Sequence, residues 1–190
     1  MKKILLVAIA CIIIGVIGIS QTYKKAVETV EKGNKEEVIK NETLKNVEVK
    51  LDAGDIVVQK SPDSSFYVKQ TGDVSKQEIR IAEDGDTLKV IGEIEKGVSF
   101  NFSFYNFGFQ TPTLTIFVPE RSYQEIKVNS SAGDVDITLL EKPQDAVITG
   151  QTAAGDVTIF NEDNKTITIG NGSKKISGKT AAGDVTIETR

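Results

Sequence analysis

The chain has 190 residues, with 23 Lys and Arg against 27 Asp and Glu, a length that suits one domain and an acidic balance that argues against a nucleic-acid partner. It contains no His and no Trp. The missing His excludes His-based triads, His general bases and His metal ligands, and the single cysteine, Cys11, leaves the remainder without disulfide or thiol chemistry.

Residues 1–20, MKKILLVAIACIIIGVIGIS, read as a targeting segment: Lys2 and Lys3, then an unbroken apolar run from Ile4 to Ile19. As a helix that run spans about 24 Å, somewhat short of a roughly 30 Å hydrocarbon core, and snorkelling of Lys3 and the polar Ser20 to Thr22 extends it. Three readings stay open: an uncleaved anchor, a signal peptide cleaved after Gly18-Ile19-Ser20, and a lipoprotein signal ending at Ala8-Ile9-Ala10-Cys11. Each carries the body of the protein out of the cytoplasm, and the basic start favours a cytoplasmic N-terminus for the anchor.

Residues 21–46 are charged and poor in large apolar side chains, with Gly33-Asn34 as a helix breaker, and read as a solvated juxtamembrane stalk. From Val47 to Arg190 the pattern changes to short runs rich in Val, Ile, Thr and Phe with period-two alternation, such as Val47 to Leu51, Leu88 to Val90, Leu114 to Val118 and Thr166 to Ile169. Gly, Asn and Asp separate them, and no helical period follows Asn46. Residues 47–190 are expected to form one all-β domain.

A motif recurs inside it. TAAGDVTI occurs at Thr152 to Ile159 and again at Thr180 to Ile187, with close copies DAGDIVV from Asp52 and SAGDVDI from Ser131. Aligned on Gly54, Gly133, Gly155 and Gly183, apolar or small residues stand seven and five positions before the glycine and two and four after it. One extra residue in a strand turns every later side chain to the other face. The stripe therefore requires Gly-Asp to form a corner or bulge that absorbs the odd residue, glycine supplying positive φ and aspartate accepting a backbone N–H. The preceding alanines, Ala53, Ala132, Ala154 and Ala182, suit the inside of such a corner.

Gly133 and Gly155 are 22 residues apart, Gly155 and Gly183 28, and Gly54 and Gly133 79. A period of about 20 to 30 residues with a recurring corner predicts a single-domain parallel β-solenoid, one motif per coil, with Val135, Val157 and Val185 stacked as one internal ladder and Ile137, Ile159 and Ile187 as another. A Greek-key β-sandwich is the alternative fold.

The phrase LTIFVPERSYQEIKVNSSAGDVDI, followed by recurring AGDVTI, resembles the bacterial "putative adhesin" β-strand-repeat family over Val47 to Arg190. Some members, the LiaG-like proteins, are membrane-anchored and associated with envelope stress systems. The resemblance implies a repeat fold and a cell-envelope role, and brings no catalytic residues with it.

Two further stretches invite a site. Asp55, Asp134, Asp156 and Asp184, with Asp136, suggest a calcium ladder, but one corner aspartate per copy fits capping better than the several ligands Ca²⁺ takes, so no metal or cofactor is expected. Phe100 to Phe109, FNFSFYNFGF, places aromatics on both strand faces and reads either as an arm buried on both sides or as an exposed docking patch. The carboxylates are dispersed and arginine occurs only at 80, 121 and 190, so no acid/base pair for polysaccharide chemistry can be named and no catalytic residue is expected. The expected function is therefore a non-catalytic, extracytoplasmic binding or scaffold module in the cell envelope. The alternative is a secreted adhesin for glycans or host surfaces. Partners are the membrane through the N-terminal segment and an envelope protein or glycan. The final copy, Val185 to Thr189, is expected to end the stack as an open edge strand that pairs with a partner or a second copy.

Overall fold

The computed structural model describes residues 35–72, 77–94, 112–120, 123–139 and 142–189, all within one compact unit spanning 33–190. The targeting segment 1–20 and Phe100 to Phe109 lie outside the described residues. Among the described residues every regular element is a strand: β1 (Lys35–Ile39), β2 (Asn46–Leu51), β3 (Asp55–Lys60), β4 (Phe66–Thr71), β5 (Gln77–Asp84), β6 (Thr87–Ile94), β7 (Thr113–Val118), β8 (Glu125–Ser130), β9 (Val135–Leu139), β10 (Ala146–Gln151), β11 (Val157–Ile159), β12 (Thr166–Ile169), β13 (Lys174–Lys179) and β14 (Val185–Thr189).

They form two seven-stranded mixed sheets, one ordered β1-β4-β7-β3-β9-β14-β11, the other β12-β10-β13-β8-β2-β6-β5. Each motif copy is a rung: one strand in the second sheet, a corner, one strand in the first. The rungs β2/β3, β8/β9, β13/β14 and β10/β11 stack in parallel through both sheets. A fifth rung without the motif, β6 and β7, lies in parallel outside β2/β3. Antiparallel strands flank the stack: β5 on β6, β4 on β7, β1 on β4, and β12 on β10.

All four copies place their stripe as the alternation requires. Val47, Ile126, Ile176 and Ile148 are buried, as are Val49, Val128, Gly178 and Gly150. On the other sheet Ile56, Val135, Val185 and Val157 form one ladder and Val58, Ile137, Ile187 and Ile159 a second, each at most 8% exposed. Leu88, Val90, Leu114 and Ile116 continue these ladders into the fifth rung. The inner faces of both sheets meet in one core. At about 25 cal/mol per Å² of apolar surface, these ladders are the chief favourable term in folding.

Three expectations are corrected. The rungs do not stack in chain order: the last copy, β13/β14, sits between the second and third, so the fold is neither a chain-order parallel solenoid nor an antiparallel Greek key. The C-terminal strand β14 is consequently interior, hydrogen-bonded to β9 and β11 on its two sides, and is no open edge; the edges of the two sheets are β1, β11, β12 and β5. Residues 35–46 of the charged segment also contribute to the body, through β1 and through Ile39 and Leu44, 6% and 1% exposed, while residues 21–34 lie outside the described residues. Its KEEVI run is exposed except for Ile39, as suits an edge strand with one covered end.

Candidate functional site

The corners are the feature that the sequence singled out. Gly54, Gly133, Gly155 and Gly183 have φ of 114°, 128°, 141° and 132°, a region that side chains disfavour. A second reason for glycine lies between rungs. A Cβ on Gly133 would stand 2.3 Å from the Gly54 carbonyl oxygen, one on Gly183 2.4 Å from that of Gly133, and one on Gly155 2.1 Å from that of Gly183. The corners are stacked backbone on backbone. The alanines before them are not inside the bend: Ala132, Ala154 and Ala182 are exposed, and it is their carbonyls that act, the N–H of Gly54, Gly133 and Gly183 donating to Ala132, Ala182 and Ala154.

The aspartates complete the ladder. The backbone N–H of Asp134 donates to Asp55 Oδ1 at 3.0 Å, that of Asp184 to Asp134 Oδ1 at 2.9 Å, and that of Asp156 to Asp184 Oδ1 at 2.8 Å. A hydroxyl three residues before Gly133, Gly183 and Gly155 caps the neighbouring corner: Ser130 Oγ donates to the Gly54 carbonyl, Thr180 Oγ1 to that of Gly133 and Thr152 Oγ1 to that of Gly183. At the motif's outer end, where no further copy supplies a donor, the side-chain amide of the buried Gln77 donates to the Ala53 carbonyl at 2.8 Å and accepts from Gln70. Each internal corner aspartate thus caps a bend across rungs, and no group of three or more Asp, Glu, Cys or His side chains converges as a metal site among the described residues.

The outward side chains divide by charge. On the first sheet the motif rungs present Asp55, Asp134, Asp184, Asp156, Asp136 and Glu188 with threonines between them, and no Lys or Arg within those strands except Lys60 at the far end of β3. Asp136 lies between Val57 and Thr186 in the register. Its carboxyl is held above the ordinary aspartate range by partial burial and next by the charge of Asp134, against a hydrogen bond from Thr186. On the second sheet the corresponding rungs present Lys50, Lys127, Lys175 and Lys179 against Glu48 and Glu125, with Lys127 Nζ 3.0 Å from Glu48.

Opposite the corners, where the sheets have no Gly-Asp bend to join them, they part around an open cleft of about 510 Å³. It is built from the C-terminal ends of β3, β7 and β9, the N-terminal ends of β8 and β13, Pro119, Glu120, Tyr123 and residues 142–145. Sequence reading missed it, although a signal is present: the inward stripes of β3 and β13 each reach a lysine, Lys60 and Lys174, two residues beyond Val58 and before Ile176.

A family model described as Toastrack DUF4097 matches residues 44–141 and 124–188. No curated protein matches the sequence. Similar solved structures include a "putative cell adhesion protein" from Clostridium sporogenes, 12% identical, covering 83% of this chain and 100% of that one with a TM-score of 0.49. A "putative adhesin" from Bacteroides fragilis is 16% identical, with coverage of 85% and 99% and a TM-score of 0.35. Another from Parabacteroides merdae is 13% identical, with coverage of 84% and 59% and a TM-score of 0.40. No helix among the described residues is long and apolar enough to cross a membrane.

Proposed function

Because this chain belongs to the Toastrack DUF4097 family, we propose that it is a non-catalytic, extracytoplasmic binding or scaffold module of the cell envelope, held at the membrane by residues 1–20. The observation that carries this reading is how the repeated residues are used. The internal corner aspartates and the preceding hydroxyls spend their hydrogen bonds on neighbouring rungs, which leaves two stiff outer faces of contrasting charge as the surfaces offered to a partner. Such faces suit recognition by electrostatic complementarity rather than bond-making chemistry. The resemblance to LiaG-like proteins extends this reading to envelope stress response.

A pull-down of the full chain from native envelopes, with and without cell-wall stress, tests the reading. A partner captured by the native chain and lost on Asp136→Lys with Glu188→Lys supports it; a partner retained unchanged assigns recognition elsewhere. The second reading, a secreted adhesin, is favoured by the Gly18-Ile19-Ser20 cleavage pattern. Membrane fractionation separates the two: full-length protein retained in membranes supports the scaffold, and a shortened soluble species supports the adhesin.

A further inference from the structure

The cleft opposite the corners combines an apolar floor with a cationic rim. Val58, Val118, Ile126, Leu139 and Ile176 lie along it. Val118, Ile126 and Ile176 are 8%, 5% and 7% exposed, whereas the corner-side Val49, Ile56, Val128 and Val135 are at 0%, so the opening reaches the core itself. The rim carries Lys60, Lys142, Lys174 and Lys175 against Glu120 and Asp145. Both acids have partners of their own, and Asp145 keeps its negative charge. Glu120 pairs with Lys60 at 3.0 Å. Asp145 accepts the Ser173 backbone N–H on Oδ1 at 3.2 Å and the Ser173 hydroxyl on Oδ2 at 2.5 Å. Lys142 lies over the Phe160 ring, 4.9 Å from its centroid. Lys142, Lys174 and Lys175 form no ion pair among the described residues.

Alternation gives Lys174 the inward side of β13, the side on which Ile176 and Gly178 are buried. A lysine there lays its methylenes along the apolar wall and holds its ammonium at the mouth. We infer that this cleft binds a single-chain anionic amphiphile, with the hydrocarbon chain on the floor and a carboxylate or phosphate head at Lys142 and Lys174. Charge complementarity selects the head, because the described rim carries four lysines against two carboxylates and neither Lys142 nor Lys174 is ion-paired among the described residues. The floor selects the chain, because it offers apolar walls down to the core. The volume lies within the roughly 300–1,000 Å³ typical of small-molecule sites. This site goes beyond the envelope-scaffold reading and stands independently of whichever partner the outer faces take.

The test uses the full chain and a fluorescent long-chain fatty acid, displaced in turn by oleate, by a lysophosphatidic acid and by a long-chain alcohol of similar length. Saturable binding at one site is expected, with both anions displacing the probe about tenfold better than the alcohol. Lys142→Glu with Lys174→Glu reverses the charge of two rim residues, and should weaken the anions about tenfold or more while the alcohol binds as before and the melt stays cooperative. Leu139→Trp, which fills the floor, should weaken all three. Displacement by only the carboxylate or only the phosphate also supports the site and identifies the head it takes. Equal binding by native chain and both variants would overturn the proposal, since the N-terminal apolar segment is identical in all three. Absence of saturable binding by the native chain would overturn it as well.

Discussion

The two ends of the core are built from the same strands and differ in nearly everything else. At the corner end, each of the four motif rungs repeats Ala-Gly-Asp, the glycines touch neighbouring carbonyls, and side-chain oxygens accept backbone N–H groups across rungs. At the open end no motif repeats, and of the lysines that stand over apolar residues only Lys60 has an acidic partner among the described residues. Repetition in this chain marks where rungs must be interchangeable, and a motif that recurs because each copy must fit the next has little freedom left for a ligand. The non-repeated end carries no such constraint.

That contrast can be broken in graded ways. The largest effect should come from Val185→Asp. Val185 is at 0% exposure between Val135 and Val157, and an unpaired carboxylate there costs several kcal/mol, a large share of a typical stability of about 5–15 kcal/mol. Loss of the cooperative melt by circular dichroism is expected. Gly183→Val comes next, at about 3 kcal/mol or more, because it adds a β-branched side chain at a φ of 132° and against the Gly133 carbonyl. Denaturant unfolding should show it far more damaging than Asp184→Asn, which keeps an acceptor oxygen.

The aspartates themselves sharpen the comparison. Asp184→Ala removes the acceptor of the Asp156 N–H and should cost about 1 kcal/mol. Asp156→Ala should cost close to nothing, since β11 is the edge strand and no further rung donates to it among the described residues. Equal costs in chemical denaturation would mean that the aspartates act through something other than the inter-rung bond.

The smallest effect concerns pH. Asp136 has its carboxyl raised in the fold, first by burial and then by Asp134, so its protonated form is favoured there. Its contribution is fully present below the ordinary aspartate range and is lost as pH rises through its folded value. Asp136→Asn should therefore raise stability at neutral pH, by less than about 1 kcal/mol at this half-exposed position, and should give no gain at pH 3. Thermal melts at the two pH values check the sign.

Much of the corner end was legible in the sequence. The stripe at Val47, Val49, Ile56 and Val58, and at its three copies, followed from period two and one absorbed residue, and glycine's positive φ followed with it. The order of the rungs was not legible, because copies with the same inward residues fit one another in any order; the path of the connections decides, and their burial pattern is weak. Nor was the fifth rung, since β6 and β7 fill the ladders through Leu88, Val90, Leu114 and Ile116 without the motif, and the Pro112 carbonyl accepts the Asp55 N–H in place of a corner. β1 was hidden by its charge, which an edge strand tolerates. The cleft was hidden because its walls come from five strands and two connections far apart in the chain.

The stacking order tests the account most directly, because the ladder of aspartates, the interior place of β14 and the walls of the cleft all depend on it. Methyl-labelled full-length protein would show it in a nuclear Overhauser experiment on the isoleucines. Neighbouring rungs stand about 4.8 Å apart and alternate rungs roughly twice that. The account predicts contacts from Ile187 to both Ile137 and Ile159 and none directly between Ile137 and Ile159. A direct Ile137 to Ile159 contact, with Ile187 touching only Ile159, would place the copies in chain order and contradict it.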